Sequence, residues 1–95
     1  MARIAWSREA LMRIVEIRQY IRQFDPHAAG RLATELLAAG DSLKTFPDRG
    51  ALYDDGCRIL LSVRPYRIIY EVISDTVNIL DIRHGAQSPQ QRPVS

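Results

Sequence analysis

The sequence has little cysteine and no long apolar run, and both features limit where the chain can work. Cys57 is its one cysteine, so no disulfide can form within the chain. A single thiol fits a reducing compartment, and we expect a cytoplasmic location. No apolar run approaches the roughly 20 residues that a membrane span needs. The first residues, MARIAWSREAL, lack the apolar segment of a secretory signal, so export is not expected either.

The sequence also lacks the motifs that hold metals, phosphates or acyl groups. Its two histidines, His27 and His84, are far apart and have no cysteine companions at zinc spacing. Asp54 and Asp55 gather only two carboxylates, which predicts a turn and not a calcium site. There is no glycine-rich phosphate loop and no Gly-x-Ser-x-Gly motif. We therefore expect no metal and no cofactor.

What the chain does contain is typical of one small globular domain. It has 95 residues, 46 % of them hydrophobic and 25 % charged, which suffices for one core and not for two. We expect a single domain over residues 1–87 and a flexible polar tail over residues 88–95. The net charge is only +2, yet twelve of the thirteen cations are arginine and Lys44 is the one lysine. Arginine binds phosphates and carboxylates alike, and a GC-rich genome would produce the same bias.

The first half of the chain has the pattern of a strand followed by two helices. Residues 2–6 alternate in polarity, which predicts a short strand. Ser7 is a good N-cap for a helix over about residues 8–23, where apolar side chains recur every three or four positions. Asp25-Pro26 opens a second helix that should extend to about Lys44. Because almost no loop separates the two helices, they should form an αα-hairpin.

The second half predicts a polar loop and then three strands. Residues 48–56, DRGALYDDG, contain two turn signals and are expected to form the loop. Runs rich in β-branched and aromatic residues follow at about 57–63, 66–73 and 76–83, joined by short turns. The predicted fold class is therefore α+β: an N-terminal strand, an αα-hairpin and a three-stranded antiparallel meander. The helical hairpin should pack on one face of the sheet.

Strand parity predicts which side chains leave the sheet on the side without helices, since neighbours along a strand point to opposite faces. The residues expected to face the hairpin are strongly apolar: Ile59, Leu61, Val63, Ile68, Tyr70 and Val72. If Leu80 and Ile82 are core residues too, the open face carries a mixed set: Arg58, Leu60, Ser62, Arg67, Ile69, Glu71, Ile79, Asp81 and Arg83. Arginines beside exposed aliphatic side chains are typical of a binding surface. Pairing of the arginines with Glu71 or Asp81 would instead make it a solvated face.

Five phrases follow one another between residues 3 and 87: WSREAL, FDPHAAGRL, LKTFPDRG, RPYRIIYEV and VNILDIRHGAQ. In this order and spacing they resemble the RelE/ParE superfamily, the toxins of bacterial type II toxin–antitoxin modules, and the RHGAQ ending is similar to the ParE branch. ParE-like toxins inhibit DNA gyrase, whereas RelE-like toxins cut messenger RNA on the ribosome. The resemblance implies growth arrest, a role in plasmid stabilization and neutralisation by a cognate antitoxin.

The ribonuclease pattern of the superfamily is only half present. Arg67 matches the arginine of the RelE phrase, while Arg58 and Leu60 stand where RelE has two lysines. Arg83 and His84 are nearest to the C-terminal catalytic positions, and no tyrosine follows Tyr70 in the sequence. Cleavage by the 2′-hydroxyl needs a proton acceptor and a proton donor besides cations, and arginine stays protonated. If the chain is a ribonuclease, the resemblance implies Arg58, Arg67, Arg83 and His84 as its catalytic residues.

The leading prediction is a ParE-like toxin that binds and inhibits DNA gyrase without chemistry of its own. The alternatives are a ribosome-dependent mRNA endoribonuclease and a decayed toxin that still binds its antitoxin. In each case we expect a hetero-oligomer with an acidic antitoxin, whose amphipathic helix or extended segment covers apolar surface. The predicted contact face for target or antitoxin consists of six residues: Arg58, Leu60, Arg67, Ile69, Glu71 and Arg83.

Overall fold

The computed structural model describes residues 1–85, which form two helices and one five-stranded sheet. In chain order the elements are β1 (Arg3–Trp6), α1 (Arg8–Arg22), α2 (Pro26–Asp41), a 3₁₀ helix (Ser42–Lys44), β2 (Ala51–Asp54), β3 (Cys57–Leu60), β4 (Tyr66–Ile73) and β5 (Thr76–His84). The strands lie in the order β1-β5-β4-β3-β2, with β1 parallel to β5 and all other pairs antiparallel. The predicted α+β class, with a helical hairpin on a meander, is confirmed. The predicted tail, residues 88–95, lies outside the described residues.

Both helices begin at the residues that the sequence predicts. The Ser7 hydroxyl accepts a hydrogen bond from the Ala10 N–H at 2.9 Å, and the Asp25 carboxylate accepts one from the Ala28 N–H at 3.1 Å. Each cap satisfies a backbone donor that the first turn of a helix leaves without a partner. Ser7 also donates its hydroxyl proton to the carbonyl oxygen of Leu80 at 2.8 Å. The start of α1 is thereby attached to β5.

The sheet has one strand more than the sequence predicts. Residues 51–54, expected to belong to a loop, form β2 and pair with β3. Asp55 and Gly56 connect the two strands with φ of 44° and 85°, the left-handed conformation of a tight hairpin turn. Asp-Gly between two short strands is itself a hairpin signal. The signal is weak in this sequence because each flanking strand is only 4 residues long.

The core lies between the helical hairpin and one face of the sheet. Its largest fully buried side chains are Tyr70, Leu36, Leu43, Ile68, Ile79, Ile82 and Val77. Trp6 packs against this cluster, and Gly40 approaches its ring so closely that a β-carbon would overlap it. Within residues 1–85 both helices contribute to this one core, so the other face of the sheet carries no helix. No helix in this part of the chain is long and apolar enough to cross a bilayer.

The predicted parity of β3 is wrong. Arg58 and Leu60 pair with Tyr70 and Ile68 across to β4 and share their helix-facing side, and Leu60 is only 4 % exposed. Ile59, expected to face the hairpin, lies on the opposite side. Apolar residues occupy both parities in this run, so alternation alone could not distinguish the faces.

A bulge in β5 changes a second expectation. The register passes from Tyr70 opposite Ile79 to Ile69 opposite Asp81, which leaves Leu80 as the extra residue. A bulge resets the alternation of side chains along a strand, so Ile79 and Ile82 both face the core although they are three residues apart. Ile79, expected on the open face, is fully buried, while Leu80, expected in the core, is half-buried at the bulge.

Candidate functional site

The face of the sheet without helices is the first candidate surface. Residues that pair across strands point to the same side, and the register therefore defines this "uncovered face" as Ala51, Cys57, Ile59, Arg67, Ile69, Glu71, Asn78, Asp81 and Arg83. Of the six residues predicted for a contact face, it includes four: Arg67, Ile69, Glu71 and Arg83. Whether these four bind a target or an antitoxin stays a prediction.

Arg67 on β4 lies directly opposite Arg83 on β5. Like charges in such a pair repel each other, and only one of the two arginines is compensated. Arg83 donates from Nε to Oδ2 of Asp81 at 2.9 Å. Within residues 1–85, the side chain of Arg67 makes no hydrogen bond or ion pair. The face therefore presents one arginine held in place by an acid and one arginine whose guanidinium has no protein partner there.

Asp81 on β5 accepts hydrogen bonds from two arginine side chains and one backbone N–H. Its Oδ1 accepts hydrogen bonds from Arg13 Nε at 3.1 Å and from the Ile82 N–H at 2.8 Å. The side chain is only 17 % exposed. Burial acts to raise the pKa of Asp81, but the hydrogen bonds from Arg83, Ile82 and Arg13 outweigh it and hold the pKa below its usual value. Asp81 thus stays ionised, connects α1 to β5 and fixes the orientation of Arg83.

A shallow hollow of about 190 Å³ adjoins Arg67 on the uncovered face. It lies between β2, β3 and β4, and its lining residues are Ala51, Leu52, Tyr53, Ile59, Leu61 and Arg67. Leu52 and Leu61 are 69 % and 43 % exposed, so its apolar rim faces solvent. Sequence patterns do not indicate this hollow, because it depends on β2, which they do not predict.

The other two candidate catalytic residues lie on the helix-facing side. Arg58 donates from Nη1 to the carbonyl oxygens of Gly50 and Asp48 at 2.7 and 3.2 Å, and so holds the loop before β2. His84 pairs with Tyr66, and their rings meet edge to face at 5.4 Å between centroids. Arg58 pairs with Tyr70 and His84 pairs with Tyr66. Because these two partners are four residues apart on β4, Arg58 and His84 are separated by about 13 Å along the strand direction.

Cys57 does not have the properties of a nucleophile. Burial, followed by the charges of Glu71, Asp54 and Asp55, raises the pKa of its thiol above the usual value, whereas reactive cysteines have a lowered pKa. Across residues 1–85, no cluster of three or more histidine, cysteine, aspartate or glutamate side chains could hold a metal ion.

The outer side of the helical hairpin is the second candidate surface. Leu11 and Val15, which belong to the apolar stripe of α1, are 44 % and 46 % exposed, and Leu37 on α2 is 39 % exposed. A groove of about 430 Å³ runs between the helices, lined by Ile14, Val15, Arg18, Gln19, Arg22, Gly30, Ala33, Thr34 and Leu37. Two of these residues are basic, and no described residue that lines it is acidic. We call this surface the hairpin groove.

Comparison with known proteins matches nearly the whole chain to toxins. The sequence profile of the ParE toxin of type II toxin–antitoxin systems, parDE, matches residues 4–89. Toxin RelE2 of Caulobacter vibrioides is 45 % identical over 87 residues, which are 92 % of this chain and 99 % of that protein. Y4kP of Sinorhizobium fredii is 36 % identical over 87 residues, 90 % of each chain.

A solved structure shares the fold. A chain of the chromosomal ParDE TA system from P. aeruginosa superposes with a TM-score of 0.79 over 88 % of this chain and 96 % of that one. The two sequences are 21 % identical, so this likeness concerns the arrangement of helices and strands alone.

Proposed function

The chain belongs to the ParE toxin family of type II toxin–antitoxin systems, and from this premise we propose that it acts by binding and inhibiting DNA gyrase. A toxin of this class has a cognate antitoxin as its partner. Growth arrest, a cytoplasmic site of action and a contribution to plasmid stabilization belong to the same proposal. Its mechanism would be occupation of a protein surface, without a bond made or broken by the toxin.

The separation of the candidate catalytic residues is the observation that carries this proposal. Arg67 and Arg83 project from the uncovered face, whereas Arg58 and His84 lie on the helix-facing side. Arg58 is also engaged by two backbone carbonyls. A ribonuclease must bring a proton acceptor and a proton donor to the phosphate that its cations bind. Among residues 1–85 this arrangement brings two cations to the uncovered face without a histidine beside them on that face, which favours binding over cleavage.

The test is inhibition of purified gyrase holoenzyme in a supercoiling assay, with the toxin added alone and after mixing with its antitoxin. We expect inhibition or trapping of cleaved DNA, and reversal by the antitoxin. No effect at a large molar excess of folded toxin would disprove the gyrase assignment.

The pair of arginines supports a second candidate function. Arg67 and Arg83 lie opposite each other, and two guanidinium groups suit a phosphodiester. A ribosome-dependent endoribonuclease would produce cuts within translated codons, detected by primer extension after induction of the toxin without antitoxin. Intact transcripts in growth-arrested cells would exclude this candidate.

The hairpin groove supports the proposed antitoxin contact. Its floor is apolar, and Arg18 and Arg22 are exposed among its lining residues. An amphipathic helix fits such a groove with its apolar side down, and acidic side chains on its flank would meet the two arginines. We therefore propose that the toxin and its antitoxin form a hetero-oligomer through this groove.

A further inference from the structure

We propose that the uncovered face binds an extended segment of the target protein, with a carboxylate of that segment paired to Arg67. This inference deepens the proposed function, on which it rests, by naming the surface and the chemistry of the target contact. It also predicts that this face prefers a peptide carboxylate to a nucleic acid.

Arg67 has the environment of an arginine that binds a partner. It is half-buried in a strand, and within residues 1–85 no acid or carbonyl group pairs with it. Its neighbour across the sheet, Arg83, repels it, while Asp81 is already occupied by Arg83 and Arg13. A carboxylate can accept two parallel hydrogen bonds from one guanidinium. Such a ligand would supply the negative charge that Arg67 lacks.

The hollow beside Arg67 indicates the rest of the ligand. Arg67 forms one wall, and Ile59, Leu61 and Ala51 provide apolar lining. In an extended segment, side chains two residues apart lie on the same side, about 7 Å from one another. In such a segment, a carboxylate would pair with Arg67 while an aliphatic side chain two positions away fills the hollow.

The charge of the face argues against a nucleic acid. Arg67 and Arg83 share it with Glu71 and Asp81, so the two cations are balanced by two acids. Binding of a polyanion depends on a patch of excess positive charge that displaces counterions. A single local carboxylate needs only one arginine without a partner, and that is what the described part of this face offers.

The two partners can be assigned to different sides of the molecule. The hairpin groove lies between the two helices, and its described lining residues belong to α1 and α2 alone. The uncovered face ends at the edge strand β2, with which an extended segment can pair. We assign the groove to the antitoxin helix and this face to the target.

The first experiment measures ligand preference directly, with the full chain. Isotope-labelled toxin is titrated with the peptide Ac-Thr-Leu-Thr-Asp-Thr-Leu-NH2, with its asparagine analogue and with single-stranded oligothymidylate, and spectra are followed by NMR. We expect the aspartate peptide to shift the Nε–H signal of Arg67 and the methyl signals of Ile59, and to bind at least about tenfold more tightly than the asparagine analogue. Equal binding of the two peptides, or tighter binding of oligothymidylate at the same signals, would overturn the proposal.

The second experiment connects the site to inhibition. Arg67→Ala should raise the toxin concentration that half-inhibits gyrase by about tenfold or more, and Arg67→Lys should give an intermediate loss. Arg31→Ala removes an exposed arginine from α2 and should stay within about twofold of wild type. Antitoxin affinity of all three variants should be unchanged, which verifies their fold. Equal inhibition of gyrase by wild type and by Arg67→Ala would disprove this inference and leave the gyrase proposal standing. If wild type does not inhibit gyrase, the gyrase proposal fails, and the peptide titration alone decides which ligand the uncovered face binds.

Discussion

The Tyr70 hydroxyl accepts a hydrogen bond from the backbone N–H of Gly50 at 2.8 Å, across the core from β4 to the loop before β2. The same hydroxyl donates to the carbonyl oxygen of Pro47 at 2.7 Å. Tyr70 is fully buried, and a β-carbon on Gly50 would lie 2.8 Å from its oxygen. Burial, the largest cause, raises the pKa of Tyr70, so the hydroxyl stays protonated and available as a donor. One side chain thus sets the path of the loop that leads into the edge strand.

Removal of this hydroxyl should destabilise the protein. Tyr70→Phe leaves the Gly50 N–H and the Pro47 carbonyl without their partner, and we expect a loss of about 1–3 kcal/mol in the free energy of unfolding. Urea denaturation measures it. Tyr53→Phe is the matched control, since Tyr53 is only half-buried and makes no side-chain hydrogen bond within residues 1–85; its effect should stay within about 0.5 kcal/mol. Equal effects of the two substitutions would contradict this account.

Two helical glycines should respond in opposite ways to alanine. At Gly40 a β-carbon would overlap the Trp6 ring and lie 2.8 Å from Cδ1 of Ile79, so Gly40→Ala should cost about 1–3 kcal/mol by overpacking. At Gly30 nothing lies within 4 Å, and Gly30→Ala should stabilise the helix by about 0.5–1 kcal/mol. Thermal unfolding of both variants provides the measurement. A stabilising Gly40→Ala would show that Trp6 can move aside.

Asp81 should make stability depend on pH in the acid range. Its pKa in the folded state is lowered, so its contribution is complete above the unfolded value of about 3.9 and is lost as the pH falls through the folded value. Asp81→Asn should therefore cost about 1 kcal/mol near pH 7, and the difference from wild type should shrink below about pH 4. Denaturation at several pH values, with exposed Glu35→Gln as control, tests this. A difference that persists unchanged at pH 2 would assign the effect to packing and not to charge.

The hairpin groove should be sensitive to a negative charge. Val15→Asp places a carboxylate in the groove, where it would repel an acidic helix and remove an apolar surface from the interface. Antitoxin affinity should therefore fall by about tenfold or more. Met12→Asp is the control, because Met12 is similarly exposed, 49 % against 46 %, but does not line the groove. Titration calorimetry with the antitoxin measures both. Similar losses of affinity in the two variants would indicate that the antitoxin binds elsewhere.

The sequence predicts the parts of the fold that local chemistry determines. Ser7 and Asp25 cap the helices because their side chains satisfy nearby backbone donors, and this requires no tertiary contact. The bulge at Leu80 and the parity of β3 depend on the register with β4. Apolar residues at both parities leave that register undetermined until the strands meet.

The sequence predicts the candidate site only where a residue's position in its own strand decides which way its side chain points. The positions of Arg67 and Arg83 in their strands were enough to place both on the uncovered face. The connection of Asp81 to Arg13 joins residues from opposite ends of the chain, and no local pattern indicates it. The hairpin groove could not be predicted for another reason. The apolar pattern of a helix shows that one side is apolar, but it does not show which of those residues stay uncovered when a second helix packs against it.

The parallel pairing of β1 with β5 has a consequence for how the toxin is made. The first strand of the chain lies in the sheet beside the last described strand, with Arg3 opposite Thr76 and Trp6 opposite Ile79. Contacts between residues so distant in sequence form late, because the loop that joins them must close first. A nascent chain therefore cannot complete this sheet until β5 has left the ribosome. Translation of the toxin and completion of its folded sheet are thus separate events in time.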